Sequence, residues 1–188
     1  MGRSRMSAVD VMIVGAMAVA GAFGHARDTA AQEADGYERK MRLGGELKQQ
    51  AEEKLAQARK LTNESPRREH LKKEARAMLW KSGEAFSAAM DEIKLCLDDN
   101  PQLEAALVQL RLASAITSQE IARTYPEDAA ERAKNMRGAL AEFQAIHKVY
   151  RRNVAGLFAQ AFAAECHQEL GEYDEALQIY GELIDLPA

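Results

Sequence analysis

The sequence predicts an all-α protein: stacked antiparallel helical hairpins, about six helices, following an N-terminal signal segment. Three observations predict it. Apolar residues make up 47 % of the chain while aromatics reach only 6 %, and alanine-rich, aromatic-poor chains suit closely packed helix pairs better than sheets. Apolar positions recur every three or four residues along most of the sequence, the spacing of one helical face. No alternating polar–apolar run is bounded by hairpin turns, so no sheet is expected.

The first thirty-one residues read as an address. Arg3 and Arg5 precede the fourteen-residue apolar run Val11–Gly24, and small residues follow at Gly24-His25-Ala26 and at Thr29-Ala30-Ala31. These are the parts of a secretory signal. The run is short of the roughly 20 residues that span a bilayer as a helix. The expectation is an exported chain, periplasmic or in the cell envelope, with residues 1–31 either a cleaved signal or an uncleaved membrane anchor.

Residues 32–125 form a region of long helices. The first, about 33 to 62, carries Leu43, Leu47, Ala51, Leu55, Ala58 and Leu61 as a stripe. Gly44-Gly45 interrupts it, and each glycine costs about 1 kcal/mol relative to alanine, so the part before Gly44 is expected to fray. Ser65 is placed to cap the second helix and Pro66 to open it. That helix, about 66 to 98, shows Leu71, Ala75, Met78, Ser82, Phe86, Ala89, Ile93 and Leu97, with Trp80 off the stripe and expected against a neighbouring helix. Asn100-Pro101 caps and opens a third helix, about 101 to 124.

Residues 126–188 begin after the break Tyr125-Pro126-Glu127-Asp128. A fourth helix, about 128 to 151, places Ala133, Met136, Leu140, Phe143, Ile146 and Tyr150 on one side. Asn153 and Gly156 mark a boundary; a fifth helix runs to Leu170, and Gly171-Glu172 turns the chain into a sixth, Tyr173 to Leu186. Short connections imply antiparallel neighbours.

The run from Leu170 through Gly171, Tyr173, Ala176 and Tyr180 to Pro187 resembles the turn and second helix of a tetratricopeptide repeat (TPR), in which G-x-Y-x-x-A-x-x-x-Y and a final proline recur in a unit of about 34 residues. The match is clearest at 157–187. Gly171 tightens the turn, Ala176 is small where two helices approach, Tyr173 and Tyr180 fill the space around that contact, and Pro187 stops the helix. Ala139, Phe143 and Ile146 echo the pattern upstream. The resemblance implies a TPR-like α-solenoid acting as an adaptor or assembly scaffold, with a groove lined by the first helix of each pair. It places Gln160, His167 and Gln168 near a ligand, and Tyr180 at the exposed edge of the repeat. Such units stack on neighbours to bury their apolar faces, and no polar capping helix follows Pro187. Leu177, Tyr180, Leu183 and Ile184 are therefore expected to be partly uncovered, to be met by a partner, a second copy or further repeats.

Charge narrows the function classes. The net charge is −4, whereas nucleic-acid binding needs a basic footprint. The distribution is polar along the chain: Glu38–Lys81 holds 13 Lys/Arg against 7 Asp/Glu, and Val154–Ala188 holds no Lys/Arg against 7 Asp/Glu. That is either two solvated faces or a polarity that steers partners or head-to-tail self-association.

Nothing in the sequence assembles chemistry. His70, His147 and His167 fall on three different helices, and His25 falls in the signal segment, with no metal-ligand spacing among them. Adjacent Cys166 and His167 point about 100° apart on a helix. Cys96 and Cys166 are even in number in an oxidising compartment, but both read better as small buried residues than as a disulfide. Glu165, Glu169, Glu172, Asp174 and Glu175 read as a solvated acidic face. No phosphate loop, nucleophile elbow or dinucleotide fingerprint is present. The expectation is a non-enzymatic module, without metal or cofactor, that binds a protein or peptide. The alternatives are a self-associating structural envelope protein and the non-catalytic front part of a longer TPR protein.

Overall fold

Apolar periodicity at helical spacing gives helices throughout. The computed structural model describes residues 28–185, with side chains from residue 36, and contains no strand among them. Residues 1–27 and 186–188, which hold most of the expected signal segment 1–31 and Pro187, lie outside the described residues. Six helices follow one another: α1 (Asp28–Arg59), α2 (Pro66–Cys96), α3 (Glu104–Arg123), α4 (Ala130–Tyr150), α5 (Val154–Glu169) and α6 (Tyr173–Ile184). The later candidate cleavage position, Thr29–Ala31, falls in the first turn of α1.

Each helix packs on the next, and α3 also touches α5. Side-chain contacts fix the directions. Lys40 pairs with Glu92, and Lys54 with Glu74 at 2.8 Å, so α1 and α2 run antiparallel. Gln119 Nε2 donates to Glu165 at 3.4 Å and Arg123 Nε to Glu169 at 2.6 Å, so α3 and α5 run parallel. Arg76 joins α2 to the end of α3, donating to Thr124 Oγ1 at 2.7 Å and lying over the Tyr125 ring.

The core divides into clusters that share α3. Tyr37, Phe86, Ala89, Ile93, Leu107 and Leu110 form one. Ala51, Ala75, Leu79 and Ile121 form a second. The largest centres on Ile116, Met136, Leu140, Phe143, Ile146 and Cys166, from α3, α4 and α5.

Helix α1 does not fray before Gly44; it runs unbroken through both glycines. Ser82 Oγ donates to Gly44 O at 2.7 Å, and a Cβ on Gly44 would lie 2.5 Å from the Phe86 ring. Glycine there is what lets α1 and α2 close. Gly45 faces open space. Gly44→Ala is expected to lose about 2 kcal/mol because Phe86 must move, whereas Gly45→Ala gains up to about 1 kcal/mol from helix propensity. Thermal melts of the two variants check this; equal shifts would remove the steric account.

Several local expectations are corrected. Ser65 has extended backbone at the N-cap but makes no side-chain cap bond. Asn100 closes α2 instead of capping the next helix: its Nδ2 donates to Cys96 O at 3.2 Å, and Pro101–Leu103 forms a 3-10 turn before α3. On α2, Leu79 is fully buried and Met78 half-buried. A one-residue step rotates a helix by about 100°, which carries Met78 to the flank of the contact line. Trp80 stands 48 % exposed, and Leu43 49 % exposed, a step away from Gly44. The boundary at Asn153 is a true cap, its Oδ1 accepting from Gly156 N at 3.0 Å.

Candidate functional site

The α5–α6 hairpin is built by its turn. Gly171 adopts φ 80°, the left-handed conformation that glycine takes without strain. Its N–H donates to Gln168 O at 3.1 Å and the Glu172 N–H to His167 O at 2.9 Å, the paired bonds of a Schellman motif. Ala176 is buried against α5, at the close approach its small size permits.

Tyr173 does not fill the space around Ala176. It starts α6 on the same side as Leu177, one turn on, and is 63 % exposed; Leu177 is 68 % and Ile184 82 % exposed. Tyr180 and Leu183 are half-buried. The outer side of α6 is thus an apolar stripe flanked by exposed Asp174 and Asp185, with Gly181 opening space beside it.

The residues expected near a ligand, Gln160, His167 and Gln168, all lie on α5. Gln168 is exposed. Gln160 Nε2 donates to Glu182 at 3.0 Å, holding α5 to α6. His167 Nδ1 lies 2.7 Å from Glu172 Oε2 with its side chain 12 % exposed, so it braces the turn. Tyr180 lies half-buried on α6.

The acidic cluster is not simply a solvated face. Arg123 bonds Glu165 at 2.9 Å and Glu169 at 2.6 Å; Arg132 bonds Glu169 at 2.9 Å; Arg137 lies 3.7 Å from Glu172. Burial works to lower the Arg123 guanidinium, but Glu169 and Glu165 outweigh it and raise it. This network ties the last hairpin to α3 and α4. Asp174 and Glu175 remain exposed.

Sequence reasoning missed an open cleft of about 490 Å³ between α2 and α4 over α3, lined by Ser87, Met90, Arg111, Ser114, Glu142 and Ala145. Burial raises the Glu142 carboxyl, and Arg111 offsets part of that. Its lining is drawn from three helices, none of which shows it alone. A second cleft of about 640 Å³ lies beside the α4–α5 turn, at Val108, Tyr150 and Val154.

Both cysteines are free thiols, Cys166 buried and Cys96 half-buried. Burial pushes the Cys166 thiol up to about 12, with Glu169 adding to the rise, and a protonated thiol is a poor nucleophile. Cys96 is therefore expected to react with a thiol reagent near pH 8 well before Cys166, which labels only after denaturant is added. Equal labelling rates in the native protein would contradict that. Among the described residues no three His, Cys, Asp or Glu side chains are grouped to hold a metal, and no helix is long and apolar enough to cross a membrane.

No protein-family model matches the chain, and neither a curated protein nor a solved structure matches it.

Proposed function

We propose that this is an exported, TPR-like protein–protein interaction module, an adaptor or assembly scaffold whose hairpins stack as an α-solenoid and which carries no catalytic activity of its own. The observation that carries the reading is the uncovered side of α6, where Tyr173, Leu177 and Ile184 are all more than 60 % exposed. Contiguous exposed apolar residues rimmed by polar ones mark interaction surfaces. The parallel course of α3 and α5, and the glycine turn with Ala176 at the helix contact, support repeat-like stacking.

Export rests on the reading of residues 1–31 as a signal or anchor, and the periplasm or cell envelope follows from it. The balance of charge favours a protein or peptide partner over nucleic acid. The charge polarity between the two ends of the chain favours a second reading, self-association as a structural envelope protein.

Affinity capture from an envelope extract tests the module. Leu177→Asp is the control, because Leu177 contributes little to the fold and its side chain faces out. Parent-specific recovery of a protein, lost with Leu177→Asp, supports the reading. Recovery of nothing by the parent, or of the same proteins by both, would defeat it.

A further inference from the structure

We propose that the outer face of α6 binds the outer face of α1 in a second copy of the chain, so that copies stack head to tail in an open series. The inference rests on the protein-binding reading and names the partner of that face.

The two faces match in chemistry. On α6, Tyr173, Leu177 and Ile184 follow one another at spacings that keep them on one side of a helix, with exposed Asp174 and Asp185 along the flank. On α1, Leu43 is 49 % exposed and Leu47, one turn on, is half-buried. Arg39 and Arg42 lie beside Leu43, both exposed, with exposed Glu46 on the same flank, so the strip carries two cations and one acid; neither arginine forms an ion pair among the described residues. An apolar strip with acids beside it thus has a counterpart strip whose flank is net positive, at the opposite end of the succession of packed helices.

Charge also selects the symmetry. Two α6 faces meeting across a two-fold axis would set the acids Asp174 and Asp185 against acids, with no cation on either face. Like charges brought together across an interface cost several kcal/mol and suppress that pairing. Joining α6 to α1 matches sign with opposite sign. Such a heterologous contact leaves one free face of each kind on every complex, and so propagates.

The test uses the protein and two single variants in sedimentation equilibrium. Leu177→Asp blocks the α6 face and Leu43→Asp blocks the α1 face; far-UV circular dichroism establishes that both keep the parental helix content. The parent is expected to rise in average mass with concentration, less so as salt goes from about 0.05 M to about 0.5 M. Each variant alone is expected to associate roughly tenfold or more weakly. Mixed in equal amounts, the variants are expected to form a dimer and nothing larger, because one intact α6 face meets one intact α1 face. A parent that stays monomeric up to about 100 µM at low salt overturns the proposal, and so does a mixture no more associated than its components. If capture of a different protein still depends on Leu177 while the parent is monomeric, the module reading survives and the stacking of copies does not.

Discussion

Replacing Lys48 with methionine is expected to cost about 3–5 kcal/mol at neutral pH, and less as the pH falls. The Lys48 side chain is 3 % exposed, and its Nζ donates to Glu52 at 2.5 Å and to Glu120 at 3.0 Å. Glu120 Oε2 is buried and finds no partner. Methionine keeps the volume of the lysine stem but leaves a buried carboxylate without its cation, which is the expensive way to break such a pair. Even with Lys48 in place, burial raises the Glu120 carboxyl above 4.5, the lysine only partly offsetting it.

The sign of the pH dependence follows. A carboxyl whose folded pKa lies above its unfolded one binds its proton more tightly in the fold, so its contribution is fully present below about pH 4.5 and lost as the pH rises through the folded value. Removing Lys48 lifts that value further, so the deficit of the variant should shrink between about pH 8 and pH 5. Lys48 itself is opposed by burial, yet Glu120 and Glu52 outweigh this and raise it above 10.5. The stabilisation that charged Lys48 brings is therefore intact below about pH 10.5 and lost as the pH rises through its folded value. Urea denaturation of the parent, Lys48→Met, Glu120→Gln and the double variant at both pH values checks the argument. The double variant should recover more than half of the loss. A deficit that is the same at both pH values, or a double variant as unstable as Lys48→Met, would show that the stem of Lys48 matters and its charge does not.

The same cluster shows where the sequence stops being legible. The six helices and most of their breaks can be read from local signals: Pro66, Pro101, Pro126 and Asn153 punctuate the chain, and Gly171 turns it. The contact line on α1 is harder, because a glycine that looks like a break in a helix is the residue on which Phe86 packs. Lys48 lies 72 residues from Glu120, and Arg123 lies 46 from Glu169. A charge on an amphipathic helix reads as solvated until the facing helix is placed, so both ion clusters were hidden. The candidate site divides in the same way. The exposed side of α6 follows from its own spacing and from the repeat pattern, whereas the half-buried setting of His167 depends on Glu172 across the turn. The cleft over α3 needs three helices in position before any residue can be said to line it.

Phe143→Ala is the other change expected to cost about 3–5 kcal/mol, and it distinguishes the two ends of the molecule. Phe143 is fully buried and stacks on Phe162 of α5 with ring centroids 5.3 Å apart. It belongs to the cluster formed by α3, α4 and α5; the clusters beneath α1 and α2 include residues of α3 but none of α4, α5 or α6. The cavity left by the ring therefore loosens α4 against α5, and through α5 the hairpin that carries the exposed apolar stripe. Hydrogen exchange should quicken in α4, α5 and α6 more than in α1 and α2, since opening can be confined to one cooperative unit. Phe143→Leu fills most of the space and is expected to cost about half as much. Uniform acceleration across all six helices would mean that α3 couples the whole molecule into one unit, and the stripe on α6 would then be held by the entire fold. Acceleration restricted to the last three would mean that the exposed stripe depends on the α4–α5 contact, and that the ion pairs of Arg123, Arg132 and Arg137 do not hold the last hairpin in place without it.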